Sequence, residues 1–170
     1  MKIALIVVGF LALLAAGVVV IGALLPERHV VARSATFKAS PDRLFALIAG
    51  SQEWRPGVKS CELIAGDGGK QFQRETSNHG ETILYELQGS SPPLAIQRRI
   101  ATEHLPYGGT WSFALEPANG GTRVRITEDG EVYNPVFRFV SKFLMGQTAT
   151  LDAYLKAMGK ATGEDIQIGN

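Results

Sequence analysis

Six short segments of alternating side chains, each separated from the next by a handful of turn residues, limit what this chain can fold into. They are Val58–Ala65, Lys70–Thr76, Glu81–Gln88, Leu94–Ala101, Thr110–Glu116 and Thr122–Tyr133. Period-two alternation marks strands with one buried face. The separators are turn formers, among them Gly66-Asp67-Gly68-Gly69, Asn78-His79-Gly80 and Asn119-Gly120-Gly121. A parallel neighbour needs a crossover of roughly a dozen residues or more, which none of these connections supplies. The segments therefore form an antiparallel meander, whose last strand is expected to bend near Gly130.

A sheet of this size needs a cover. After Asn134-Pro135, a helix-start signal, the spacing changes to 3.6 residues. Val136, Val140, Leu144, Leu151, Leu155 and Met158 recur on one stripe, joined by Phe139, Phe143 and Tyr154. The pattern predicts one long helix reaching about Gly159 and lying on the sheet. Upstream, Val30–Lys38 reads as a strand. Ser40-Pro41 offers an N-cap followed by a first-turn proline, and Leu44, Phe45, Leu47 and Ile48 give a short helix its apolar stripe. Trp54-Arg55-Pro56-Gly57 forms a corner in which Trp54 packs over the sheet edge. Residues 164–170 are expected to be a flexible tail.

Ahead of all this lies Ile3–Leu25, with no charged, amide or hydroxyl side chain. A helix of that length, rising about 1.5 Å per residue, crosses a hydrocarbon core of about 30 Å. It has no polar face, as an amphipathic core helix would, and Leu24-Leu25-Pro26 offers no small-x-small cleavage site. Residues 3–25 are expected to be an uncleaved single-pass membrane helix. Lys2 favours a cytoplasmic N-terminus, although Arg28 and Arg33 compete from the other flank, so the folded part is expected on the non-cytoplasmic side.

The net charge of +1 gives no electrostatic case for nucleic acid as a partner. The single cysteine, Cys61, rules out an intramolecular disulfide and any metal site built from several cysteines of one chain. His29, His79 and His104 have no metal-ligand spacing, and neither a nucleophile elbow nor a phosphate-binding glycine loop occurs. No metal and no cofactor is expected.

The order strand, short helical insertion, six further antiparallel strands and closing helix resembles the helix-grip fold of the SRPBCC superfamily. That superfamily includes START lipid-transfer domains and polyketide cyclase/dehydrase-like proteins. The resemblance spans residues 30–163. It is carried by Val31–Pro41 with the Leu44-Phe45 helix, the Trp54–Gly57 corner, Gly120–Glu128 and the helix after Asn134-Pro135. It implies an α+β domain with a seven-stranded curved sheet around a long C-terminal helix, and an apolar cavity between them. It carries no shared catalytic residues.

Strand alternation supplies the cavity candidates. Tyr85, Arg98, Trp111, Phe113 and Glu128 fall on predicted inner faces, and Phe143 and Gln147 on the helix. Arg98 and Glu128 are charges on apolar faces, and each needs a partner or a wet cavity. Either they serve structure, as an ion pair or at strand ends, or they orient a polar ligand head. Glu128 is also a catalytic candidate, as an acid in proton transfer, with Tyr85 as the alternative acid–base group. They lie on strands separated by the Trp111 strand. Tyr85 either offers a phenol to the cavity or fills the core. Gln147 hydrogen-bonds either a ligand or a sheet carbonyl.

Three functions fit. The first is a membrane-anchored binding domain for a hydrophobic small molecule or lipid. The second is a cyclase/dehydrase-like enzyme, and the third a ligand-free membrane interaction module.

Overall fold

The computed structural model describes residues 2–170. Helix α1 (Lys2–Leu24) is followed by β1 (Arg28–Phe37), α2 (Pro41–Ala49) and β2 (Val58–Ala65). The meander continues through β3 (Gln71–Ser77), β4 (Thr82–Ser91), β5 (Ala95–Ile100), β6 (Tyr107–Ala118) and β7 (Gly121–Val132). Then come α3 (Pro135–Val140), a π-helical segment (Ser141–Met145), α4 (Ala149–Thr162) and β8 (Ile168–Gly169).

Each predicted strand is present within a few residues of its expected ends. All pairings are antiparallel, in the order β2-β3-β4-β5-β6-β7-β1-β8. β7 pairs with β6 and with β1 through Gly130 without a register shift. Ser40 caps α2, its hydroxyl accepting from the Arg43 amide at 3.4 Å. Asn134 caps α3 more tightly, its Oδ1 accepting from Val136 N at 2.9 Å and Phe137 N at 3.2 Å.

The core lies between the sheet and α4. Leu151, Leu155 and Met158 are wholly buried against Phe37, Phe113, Leu115, Val124 and Ile126, and α2 adds Leu44 and Ile48. Trp54 packs on the helices, donating to Leu47 O of α2 at 3.2 Å and meeting Tyr154 of α4 edge-on.

Two expectations need correction. The closing segment is not one long helix on the sheet. It breaks at Gly146, whose φ of +81° belongs to the left-handed region that other residues rarely enter. Only α4 grips the sheet. α3 packs instead against α1, with which it shares its main interhelical contact. Gly22 makes that approach possible, since a Cβ there would lie 1.9 Å from the Pro135 carbonyl oxygen. Among the described residues of α1 only Gly17, Val18 and Gly22 are shielded, and Val18 and Gly22 stand one turn apart. Arg138 completes the joint, donating to Leu25 O at 2.9 Å and pairing with Glu27 at 3.3 Å. A guanidinium at these final carbonyls also suits the negative end of the α1 dipole.

The second correction concerns the tail, which adds an eighth strand to the expected seven. Ile168 and Gly169 pair with Ala35 and Ser34, and Ile166 and Ile168 pack on the core. The Asn170 carbonyl accepts from Ser34 Oγ at 3.0 Å and from Arg123 Nη2 at 3.2 Å.

Two phenylalanines test this assignment of the core. Phe113 is 1% exposed, whereas Phe143 is 55% exposed, with its ring 5.0 Å from that of Phe139. Phe113→Ala is expected to lower the unfolding free energy by about 3–5 kcal/mol in chemical denaturation of the full chain. Phe143→Ala should change it by about 0.5 kcal/mol or less.

Candidate functional site

The inner faces of β4–β7 and the α3–α4 region enclose a hollow of about 590 Å³. This lies within the roughly 300–1,000 Å³ common for small-molecule sites. Its apolar wall includes Ile83, Ile100, Val132, Phe137, Val140 and Met145. Tyr85, Arg98, Trp111, Glu128 and Gln147 line it, as the sequence suggests. Gln147 does so from the break between the π segment and α4, not from a helix stripe. Phe113 lies behind the wall in the core, with its ring 5.4 Å from Tyr154 and 6.2 Å from Trp111. Phe143 faces outward, away from the hollow. A larger recess of about 730 Å³ lies on the opposite sheet face, where the Lys70–Glu86 and Arg28–Asp129 pairs make its wall charged. It does not suit an apolar guest.

Arg98 and Glu128 do not pair with each other. Arg98 stands opposite Trp111, which stands opposite Glu128, so the indole separates them. Glu128 is fully engaged. Its Oε2 accepts from Trp111 Nε1 at 2.9 Å and from Thr150 Oγ1 at 3.4 Å, and its Oε1 lies 3.1 Å from His29 Nε2.

Arg98, only 3% exposed, pairs with Glu75 on β3. The other oxygen of Glu75 takes Arg55 from the corner before β2. Both arginines line the hollow. The Arg98 guanidinium lies 4.3 Å from the Tyr85 ring centre and that of Arg55 lies 5.3 Å from the Tyr154 ring centre. Tyr154 OH donates to Gln52 Oε1 at 3.0 Å. Gln52 Nε2 and Gln73 Nε2 in turn donate to the last carbonyls of α2 and to Gly50 O, at 2.7–3.1 Å. These are the acceptors that a helix C-terminus leaves unpaired. Two amide side chains thus hold α2 in place and lock Tyr154 under Arg55.

Glu75, Arg55, Gln52 and Tyr154 are the site residues that the sequence reading leaves out. On β3 the inward residues are Gln73 and Glu75, while Phe72 faces the outer recess. The alternation there is inverted in polarity. The one available signal was the need of Arg98 for a buried partner.

Burial pushes the phenols of Tyr85 and Tyr154 up to about 12, and the neighbouring Glu75 carboxylate adds to the shift. Both stay neutral across the physiological range. Among the described residues no cluster of three or more His, Cys, Asp or Glu is placed to hold a metal ion.

The family described as polyketide cyclase / dehydrase and lipid transport matches residues 28–161. The chain belongs to this family. No curated protein matches the sequence. Among solved structures, a START superfamily protein from Mycobacterium smegmatis is similar at 17% identity and TM-score 0.62, covering 79% of this chain and 97% of that one. Norcoclaurine synthase from Thalictrum flavum is similar at 16% identity and TM-score 0.59, covering 81% and 88%. Protein CV1439 from Chromobacterium violaceum follows at 17% and 0.56, covering 83% and 100%. At such identities the likeness establishes the fold, here the helix-grip arrangement of an SRPBCC domain.

Two measurements check the site. Glu75→Gln leaves the buried Arg98 and the half-buried Arg55 without their anion and should cost about 3–5 kcal/mol of stability in chemical denaturation. In an alkaline absorbance titration, Tyr85 and Tyr154 should ionise last, near pH 12. Unfolded phenols ionise near pH 10, so the stability held by these two groups is complete below about pH 10 and is lost as pH rises toward 12.

Proposed function

We propose that the protein is a membrane-tethered binding domain that receives one hydrophobic small molecule or lipid into the hollow between the sheet and the α3–α4 region. The observation that carries this reading is a shared wall. Phe137, Val140 and Met145 border the hollow, and the helix that begins this wall packs against α1. α1 is long and apolar enough to cross a membrane. Around it the α3–π segment exposes Val136, Phe137, Phe143, Leu144 and Met145, with Leu144 at 73%. So large an apolar surface in water is unfavourable, and beside a membrane helix it is an interfacial face. The Gly22–Pro135 contact and the bond from Arg138 to Leu25 O favour α1 as a retained anchor over a removed leader. Lys2 at its near end favours a cytoplasmic N-terminus. The hollow then opens beside the lipid from which its ligand comes.

A second reading is an enzyme of the cyclase type, with Glu128 and His29, 3.1 Å apart on the wall, as the proton-transfer pair. Glu128 is already held by Trp111 and Thr150 as well, so this chemistry would need one of those bonds to open.

The test is native mass spectrometry of the full chain released from a gentle detergent. Wild type should carry a non-protein mass of lipid size. Ala153→Trp, which fills the hollow from α4, should lose that mass while keeping the fold. A wild-type chain that is always empty, or a mass that survives Ala153→Trp, rules out the reading.

A further inference from the structure

The hollow has an electrical asymmetry that an apolar guest does not use. At its inner end two guanidinium ions share one carboxylate, since Arg55 and Arg98 each contact one oxygen of Glu75. The neighbouring phenols, Tyr85 and Tyr154, are neutral. The cluster therefore carries one positive charge more than its anion cancels. The Nε atoms of both arginines are buried without an acceptor. Glu128 does not balance the excess, because it lies beyond Trp111 and directs its oxygens to His29, Trp111 and Thr150. Glu131, at the other end of the wall, accepts from the Tyr133 hydroxyl at 2.7 Å. A buried surplus charge is costly unless something anionic meets it. Arg98 is nearly inaccessible, yet it lines the hollow. By contrast, Phe137 and Met145, on the α3–π side of the same hollow, are apolar and half-exposed.

From this polarity we infer that the ligand is a monoanionic amphiphile, a single acyl chain or fused-ring body ending in a carboxylate, bound with that carboxylate against Arg55 and Arg98. One surplus cation matches one negative charge. Guanidinium groups pair with carboxylates through two parallel hydrogen bonds, and such charge-assisted bonds outweigh neutral ones. The apolar body then extends along Trp111 and Ile100 toward Phe137 and Met145. The inference rests on the binding function proposed above and adds the chemistry of the ligand head.

The test uses the full chain in phosphatidylcholine nanodiscs at mildly alkaline pH, where a carboxylic acid is ionised. The two probes are palmitic acid bearing a chain diazirine and the matching alcohol, with photolabelled residues mapped by mass spectrometry. The acid should label residues of the hollow at least about tenfold more than the alcohol, as a charge-assisted bond requires. The preference should disappear in Arg98→Gln. It should also disappear in Arg55→Gln, which keeps the Glu75–Arg98 pair and decides the matter if Arg98→Gln does not fold. Equal labelling by acid and alcohol in wild type, or a preference that survives Arg55→Gln, overturns the anion site and leaves the apolar hollow standing. Failure of both probes to label the hollow overturns the anion site together with the binding function on which it rests.

Discussion

Leu151, Leu155 and Met158 of α4 are completely buried against the sheet, yet a few residues upstream Phe143 and Leu144 face outward. All of them belong to one apolar stripe in the sequence. The stripe has two partners, and Gly146 is where it changes from one to the other. Because the chain turns away there to meet α1, the wall of the hollow formed by Phe137, Val140 and Met145 adjoins an apolar surface. The apposition of this wall to α1 thus goes with a single backbone break, at a glycine with positive φ.

The polar residues behind the hollow do a different job. An α2 helix that ends inside the protein leaves carbonyl groups that must be paired. Gln52 and Gln73 supply the donors, and Gln52 still has an oxygen free to accept from Tyr154. Tyr154 is therefore fixed by the end of a helix far from it in sequence. Its ring meets Trp54, Trp111 and Phe113, and Arg55 rests on it. Each member of this group is held by another, which is what a preorganised charge cluster requires. The Arg55–Glu75–Arg98 cluster is thus held in place by the protein's own contacts.

How much of this could be read from the sequence follows from the kind of signal each part leaves. Strand positions were legible because turn residues mark their ends. The inner faces of β4–β7 were legible because alternation there is apolar against polar, so Tyr85, Arg98, Trp111 and Glu128 were placed on the wall. β3 gives the opposite signal, since it turns Gln73 and Glu75 inward and Phe72 outward. No rule of hydrophobic alternation finds a strand whose buried face is polar. The helix break was hidden because one glycine inside a helical pattern is ordinarily tolerated. The contact of α1 with α3 joins segments more than a hundred residues apart, and neither carries a code for the other. The eighth strand did leave a trace, as Ile166 and Ile168 alternate, but the run is too short to stand out from a polar tail.

Under the proposed binding function, the source of the ligand decides which of these features sets selectivity. Burial of apolar surface stabilises a complex when the surface comes out of water. A molecule that enters the hollow from a bilayer leaves surroundings as apolar as Trp111, Ile100 and Val140. Its hydrocarbon part gains little free energy by moving, and all lipids share that indifference. Discrimination must then come from groups that the bilayer interior does not offer, which here are the two arginines and the phenols beside them. For the same reason the apolar wall serves capacity and the charged end serves choice. With α1 as the proposed anchor, modest affinity would suffice, because the domain would be held at its source and the effective concentration of everything dissolved there would be raised.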